Sequence, residues 1–394
     1  MAVVLQSSPY SGDDLGMSDD IRPFTVAVSD GEIADLRERL ARTRWPEKEV
    51  VDDWSQGAPL AYIQELCDYW ATSYDWRRFE AEINAYDHFL TEIDGIDVHF
   101  MHVRSPHEDA RPMIITHGWP GSVAEFMKII DPLTNPTEHG GSADDAFHLV
   151  LPSMPGYGWS AKPTTAGTST GKIAEMWDVL MVRLGYDAYV AQGGDWGAAV
   201  TSAIGWQALG HVEAIHTNMP IARPGSADLE NPSEVERAAL AALKYYDEVD
   251  SGYFKQQATR PQTLGYGLTD SPAGQAAWIA EKMWAWTDND GHPESALTRD
   301  EILDNISIYW FNATAASSAR IYWETRVGAT RGVVEVPTAI STFPAEIIRS
   351  ARRWAPKVYA NIEYWNDLDR GGHFAAWEVP DLFIAELRAA FKVI

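Results

Sequence analysis

Apolar residues along the chain fall into two patterns: recurrences every three to four positions, and short continuous runs. Ile33, Leu36 and Leu40 recur at helical spacing behind Ser29-Asp30, which predicts a helix capped at Ser29 and ended by Trp45-Pro46. Further helices are predicted over about 58–72 and 76–86. Phe89 to Ile93 and Ile96 to Val103 flank Asp94-Gly95, a strong hairpin signal. From 112 to about 220 short apolar runs alternate with helical stretches. Met113-Ile114-Ile115, His148 to Leu151, Tyr189-Val190-Ala191 and Val212 to His216 read as buried strands. Ile173, Met176, Trp177, Leu180 and Leu184 define a helix over 169–184, and small residues from Ala198 onward define another. This is the signature of a parallel sheet with right-handed crossovers.

Residues 221–332 carry few strand signals and read as helices rich in Ala, Tyr and Trp. Strand character returns at Val333–Ile340 and Ile362–Trp365, and Pro380 opens a last helix through Leu382, Ile384, Leu387 and Phe391. The predicted fold is therefore α/β, a mostly parallel central sheet flanked by helices. The expected organisation is a disordered Ser/Asp/Gly-rich leader over 1–20, an N-terminal segment with a hairpin over 21–108, and core halves over 109–220 and 333–394. A helical lid over 221–332 is expected above the carboxyl ends of the strands. Met1 and Met17 are both candidate starts.

Composition narrows the function classes. The 394 residues are 45% apolar, and Lys+Arg 31 against Asp+Glu 57 gives 31 − 57 = −26. That charge disfavours nucleic acid and anionic membranes as partners. The single cysteine, Cys67, excludes an internal disulfide and a multi-cysteine metal site. It falls in the helical pattern of Tyr62, Leu66, Tyr69 and Trp70 and reads as a buried structural thiol. No apolar run nears the roughly 18 residues of a membrane span, and no basic n-region precedes Ala2-Val3-Val4-Leu5. A soluble, cytoplasmic protein is expected. Seventeen Trp and 16 Tyr suit both a large aromatic core and a ring-lined pocket, and an exposed ring-rich surface would suit a homodimer.

The chemistry centres on Gly193-Gly194-Asp195-Trp196-Gly197, a strand–turn–helix with small residues where the turn crowds. It has the shape of a nucleophile elbow with aspartate in the serine position. A carboxylate nucleophile forms an alkyl ester, so its targets are strained or activated carbon centres. The loop His117-Gly118-Trp119-Pro120-Gly121-Ser122 follows a buried strand. Such a loop offers one oxyanion amide, here Trp119, while the residue after the nucleophile, Trp196, offers the other. An ordinary glycine turn is the plainer reading of that loop, and Trp119–Pro120 is a candidate cis bond. His373, in Gly371-Gly372-His373-Phe374, lies between the last strand and the last helix, where a base could take a proton from water. The other ten histidines, such as His99, His102 and His107, read as structural or exposed. The acid that orients His373 is Glu346, Asp367 or Asp369. Glu346 is favoured because it follows the penultimate strand. An epoxide substrate would also need an acid for its oxygen, and a neutral tyrosine suits. Spacing does not choose among Tyr245, Tyr246, Tyr253, Tyr266, Tyr309 and Tyr322.

Together these motifs resemble the epoxide hydrolases of the α/β-hydrolase superfamily, in the branch of the microsomal and juvenile-hormone enzymes and their soluble microbial relatives. Thr259-Arg260-Pro261-Gln262-Thr263, Asp270-Ser271-Pro272 and Phe343-Pro344-Ala345-Glu346 extend the resemblance over nearly all of residues 22–394. It implies Asp195 as nucleophile, His373 as base and Glu346 as its orienting acid. It implies Tyr253 and Tyr322 as the lid tyrosines that hold and protonate the epoxide oxygen, and the Trp119 and Trp196 amides as the oxyanion hole. It further implies a vicinal diol product, a small-molecule epoxide and water as the partners, and no cofactor or metal. An aromatic lid suits a bulky, apolar or aryl-substituted epoxide, in detoxification, aromatic hydrocarbon catabolism or natural-product biosynthesis. Two competing readings stand: a haloalkane dehalogenase with Trp119 and Trp196 as halide donors, and a non-catalytic binding protein on the same fold. A serine esterase is disfavoured, since Gly158-Trp159-Ser160 continues with Ala161-Lys162 rather than completing G-x-S-x-G.

Overall fold

The computed structural model describes residues 21–328 and 332–394, so the leader predicted over 1–20 lies outside the described residues. One nine-stranded sheet organises the chain. Its strands are β1 (Ile21–Phe24), β2 (His88–Ile93), β3 (Ile96–Val103), β4 (Arg111–Thr116), β5 (Phe147–Pro152), β6 (Tyr189–Gly193), β7 (Val212–Thr217), β8 (Thr338–Thr342) and β9 (Ile362–Asp367). They lie in the order β1-β2-β3-β5-β4-β6-β7-β8-β9. The pairs β1–β2, β2–β3 and β3–β5 are antiparallel, and the rest are parallel. β5 and β6 are buried along their whole length, which explains their continuous apolar runs. Between β2 and β3, Asp94 and Gly95 both take positive φ (53° and 77°), the turn that the hairpin signal demands.

Two strands depart from the sequence reading. β1 was not anticipated: it is a short edge strand, half exposed, and it carries Pro23, tolerated there because an edge leaves one side unpaired. The strand expected over Val333–Ile340 begins only at Thr338 and runs to Thr342. Pro337 has no N–H to donate to a ladder, and ahead of it Val334 makes only an isolated bridge with Tyr359.

Three helices begin close to their predicted starts. Ser29 and Glu32 form a reciprocal capping box on the helix Asp30–Ala41, Ser169 caps Thr170–Arg183, and Pro380 opens Pro380–Val393. Between β7 and β8 the described residues are helical, from Glu234–Tyr245 to Ala315–Gly328. The N-terminal helices grip this insertion. Trp70 is fully buried and donates to Ser307 (3.0 Å), while Tyr69 and Tyr74 donate to Asp300 (2.8 Å) and Asp304 (2.7 Å). Truncating such a tryptophan typically costs about 3–5 kcal/mol. The gripped helix, Arg299–Phe311, holds the His117–Ser122 loop in turn. Asn305 accepts from the Ser122 hydroxyl (2.8 Å) and donates to the Pro120 carbonyl (2.8 Å), and Tyr309 donates to the Gly121 carbonyl (2.8 Å). Cys67 is buried in this N-terminal layer, and burial pushes its thiol up to about 12, so it is inert as a nucleophile.

Candidate active site

Asp195 stands at the carboxyl end of the sheet, where β6 turns into the helix Asp195–Trp206. Its φ is 50°, a left-handed conformation that costs an L-residue about 1–2 kcal/mol. The turn is tight enough that a side chain at Gly197 would strike the Thr116 carbonyl of β4. Gly118 is equally constrained, because a Cβ there would collide with the Asp195 carboxylate itself. The glycines of the two motifs thus let the loop after β4 lie directly against the nucleophile position.

The geometry around Asp195 is closely specified. Its Oδ1 accepts from the Trp119 backbone N–H at 2.8 Å. Trp196 occupies the second position of the helix, where the N–H has no intrahelical acceptor. On the other oxygen, Oδ2 lies 3.4 Å from Nε2 of His373. The His373 Nδ1 is 2.6 Å from Oε1 of Glu346, and both side chains are only 2% exposed. Of the two alternative acids, Asp367 is instead bonded to Thr342 and Trp365 near the surface, and Asp369 is exposed. Burial opposes a charge on His373. The attraction of Glu346 and then the hydrogen bond to Asp195 outweigh it and hold the imidazole well above its ordinary pKa. The Trp119–Pro120 bond is cis.

The His373 loop is stitched to the helical insertion. The His373 N–H donates to the Trp286 carbonyl (2.9 Å), and Asp288 accepts from the Gly371 N–H (2.7 Å). Glu378 accepts from the N–H groups of Phe374 (2.8 Å) and Asp288 (2.7 Å). Burial pushes Glu378 up to about 7 against those donors.

A cavity of about 340 Å³ opens on one side of Asp195. Its wall is mainly aromatic and aliphatic, formed by Trp196, Phe254, Met219, Ile221, Ile347 and Ile348 with Tyr246, Tyr253 and Tyr322, and Arg223 and Arg326 also border it. The fold separates the six tyrosines that spacing left equivalent. Tyr245 and Tyr266 are mostly exposed, and Tyr309 is committed to the Gly121 carbonyl. Tyr253 stacks flat on Trp119, with centroids 5.0 Å apart and planes 8° apart. Tyr322 meets Trp196 edge-on at 4.7 Å, and its buried hydroxyl makes no well-formed hydrogen bond. Burial, aided by the Asp195 charge, holds both phenols well above their ordinary pKa, so they stay protonated as donors.

Three features were not legible beforehand. Tyr246 shares a 2.9 Å hydrogen bond with Tyr253. A buried Lys282–Asp250 pair (2.6 Å) places the ammonium 4.7 Å from the Tyr253 ring centroid. Glu125 is buried behind Asp195. Its spacing from Ser122 imitates an ordinary Ser-x-x-Glu cap, which hides it in the sequence.

Fold and site together define an α/β hydrolase with an aspartate at the elbow. Residues 21–126 match the family described as epoxide hydrolase N terminus, and residues 111–272 match the alpha/beta hydrolase fold. The chain is 54% identical over 374 residues to a Stigmatella aurantiaca protein that carries the epoxide hydrolase name, covering 94% of this chain and 85% of that one. It is 34% identical over 415 residues to epoxide hydrolase 1 of Sus scrofa, covering 97% and 90%. The structure matches juvenile hormone epoxide hydrolase from the silkworm Bombyx mori with a TM-score of 0.87, at 29% identity and 95% coverage of each chain. It matches Aspergillus niger epoxide hydrolase with a TM-score of 0.87, at 30% identity over 96% of this chain and 98% of that one. The chain belongs to the epoxide hydrolase family. Among the described residues no helix is long and apolar enough to cross a membrane.

Proposed function

We propose that this enzyme converts a bulky, apolar or aryl-substituted epoxide to a vicinal diol through a covalent ester on Asp195. The observation that carries the reading is the two-sided placement of Asp195. It shares one cavity with Tyr253 and Tyr322, and it faces His373 and the Trp119 amide on the other side. A carboxylate oxygen of Asp195 attacks an oxirane carbon while the tyrosine hydroxyls hold the ring oxygen. The C–O bond breaks, a tyrosine gives its proton to the alkoxide, and a hydroxyalkyl ester results. Water then loses a proton to His373 and adds to Cγ of Asp195. The Trp119 and Trp196 amides stabilise the oxyanion, a contribution of about 3–4 kcal/mol per donor in comparable sites. Collapse of the adduct releases the diol. Its oxygen takes the proton from His373, and the tyrosinate is reprotonated from solvent.

The electrostatics give the two steps an order. With Asp195 ionised, His373 is held as a cation by Asp195 and Glu346. Esterification removes the Asp195 charge, so the hold on that proton weakens, His373 releases it to solvent, and the neutral ring is ready when a base is needed. Glu346 keeps the ring oriented throughout, and the helical insertion between β7 and β8 serves as the lid. The aromatic and aliphatic part of the cavity wall supports a bulky hydrocarbon substituent on the epoxide.

One turnover with enzyme in excess, run in ¹⁸O-labelled water, tests the route. The first diol should carry unlabelled oxygen while the label enters Asp195, and Asp195→Ala should form no diol. Label passing straight into the diol would overturn the covalent reading. The Trp196 indole N–H is buried without an acceptor, a donor that a halide could use. Halide release from a haloalkane, with no diol formed from any epoxide, would favour the dehalogenase reading.

A further inference from the structure

A second chamber of about 20 Å³ lies behind the Asp195 carboxylate, enough for one water molecule. Asp195, His373, Gly118, Gln192, Asn218 and Glu125 contribute to its wall. Glu125 belongs to the short 3-10 turn Val123–Phe126 and is only 9% exposed. The absence of a side chain at Gly121 makes room for it, since a Cβ there would collide with Oε1 of Glu125. That oxygen is buried without a hydrogen-bond partner. The Ser122 backbone N–H leans toward the carboxyl without closing a well-formed bond. Burial pushes the group up to about 8, opposed by the charge of His373 and reinforced by that of Asp195. At neutral pH it is therefore mostly uncharged, and a carboxyl in either form offers an acceptor oxygen. A buried polar atom left open is costly unless something uses it, and this one borders the space between the candidate base and the candidate nucleophile.

We propose that Glu125 is a positioning residue for hydrolysis of the Asp195 ester: its Oε1 accepts one hydrogen of the attacking water, whose other hydrogen points at Nε2 of His373. The inference rests on the two-step route proposed above. Held at both hydrogens, the water directs its lone pair at Cγ of Asp195. The water's O–H bond to the shared proton breaks toward His373, and its O–C bond forms at Cγ. The ester C–O bond then breaks, and the leaving oxygen takes the proton back from His373. Glu125 neither gains nor loses a proton. It does not border the larger cavity, so ring opening does not depend on it.

The test separates the two steps by rapid mixing with an epoxide and intact-protein mass spectrometry. Glu125→Leu should form the ester within about threefold of the wild-type rate but hydrolyse it about tenfold or more slowly, as expected for one lost hydrogen bond. The ester then accumulates, and kcat and KM fall together while kcat/KM holds. Glu125→Gln keeps a carbonyl acceptor and should restore hydrolysis to within about threefold of wild type. A purely structural role would not produce that pattern. Glu125→Asp keeps the carboxyl, withdraws it by one methylene, and should also slow hydrolysis alone, so it carries the test if the leucine variant does not fold. Wild-type hydrolysis in the leucine or aspartate variant, or equal slowing of both steps, would overturn the proposal. His373→Gln is the control for the underlying route. If it accumulates no ester, the two-step reading fails; if it does and the Glu125 variants do not, only the role of Glu125 fails.

Discussion

Replacing Glu346 with glutamine removes a charge and leaves the shape of the site almost unchanged. Oε1 of Glu346 accepts from His373 at 2.6 Å and from the Ile347 N–H at 2.7 Å, while Oε2 is buried with no partner. The two donors on Oε1 force a glutamine to keep its oxygen there and put its NH₂ in the unpartnered position. The imidazole should therefore stay in place and lose only its counter-charge. Opposite charges whose centres are about 4 Å apart interact by about 4 kcal/mol at an effective dielectric near 20. The amide dipole recovers part of that, leaving a loss of about 2–4 kcal/mol, or about 30- to 1000-fold in rate. The loss should fall on ester hydrolysis, where His373 must accept a proton, rather than on ring opening. Stopped-flow fluorescence of the site tryptophans, paired with mass spectrometry of the ester, measures the two steps separately. If ester hydrolysis proceeds at the wild-type rate in the glutamine variant, or if ring opening slows by the same factor, the reasoning about Glu346 is wrong.

Other perturbations address the remaining parts of the site. Tyr253→Phe and Tyr322→Phe should each slow ring opening by about 10²-fold and leave hydrolysis of a preformed ester nearly unchanged, read by the same two-step kinetics. Gly118→Ala should fold, by circular dichroism, yet lose more than about 10²-fold in ring opening, because its methyl group would displace the Asp195 carboxylate. Acid should destabilise the fold early. Burial lowers His102 and His216 to about 3 in the folded chain, against about 6.5 unfolded. Their neutral forms contribute stability that is fully present above pH 6.5 and is lost as pH falls toward 3. The loss at pH 5 is about 2 kcal/mol per histidine, so the melting temperature should fall between pH 7 and 5. His216→Gln should flatten that profile; an unchanged slope would contradict it.

Much of the architecture was legible because it is written in local signals. Alternating runs and helical periods set out the sheet core, Asp94-Gly95 marked the hairpin, and Ser29 and Pro380 marked helix starts. The elbow was legible for a steric reason, since the backbone crossing at Gly193 and Gly197 admits no side chain. The misses share a cause as well. β1 and the start of β8 depend on which edge a segment meets, and Val333–Val336 has strand-like composition but is cut off from the ladder by Pro337, which has no N–H to donate. Glu125 looked like a cap. Tyr246, Lys282 and Asp250 belong to helices whose orientation over the sheet is set by partners far along the chain.

By itself, the sequence determined the strand–turn–helix that presents Asp195, the glycines that let the His117–Ser122 loop approach it, and the chain order of Glu346 and His373. These follow from the steric limits of the backbone and from hydrophobic periodicity, which act within a few residues. Only the tertiary structure decided that Glu346 rather than Asp367 meets His373, that Tyr246, Tyr253 and Tyr322 share the cavity with Asp195 while Tyr245, Tyr266 and Tyr309 do not, and that Glu125 borders the chamber behind it. Those choices depend on how the helical insertion, held by the N-terminal helices, settles over the ends of the strands. That packing is set by contacts between residues as much as 237 positions apart, and no local pattern records it.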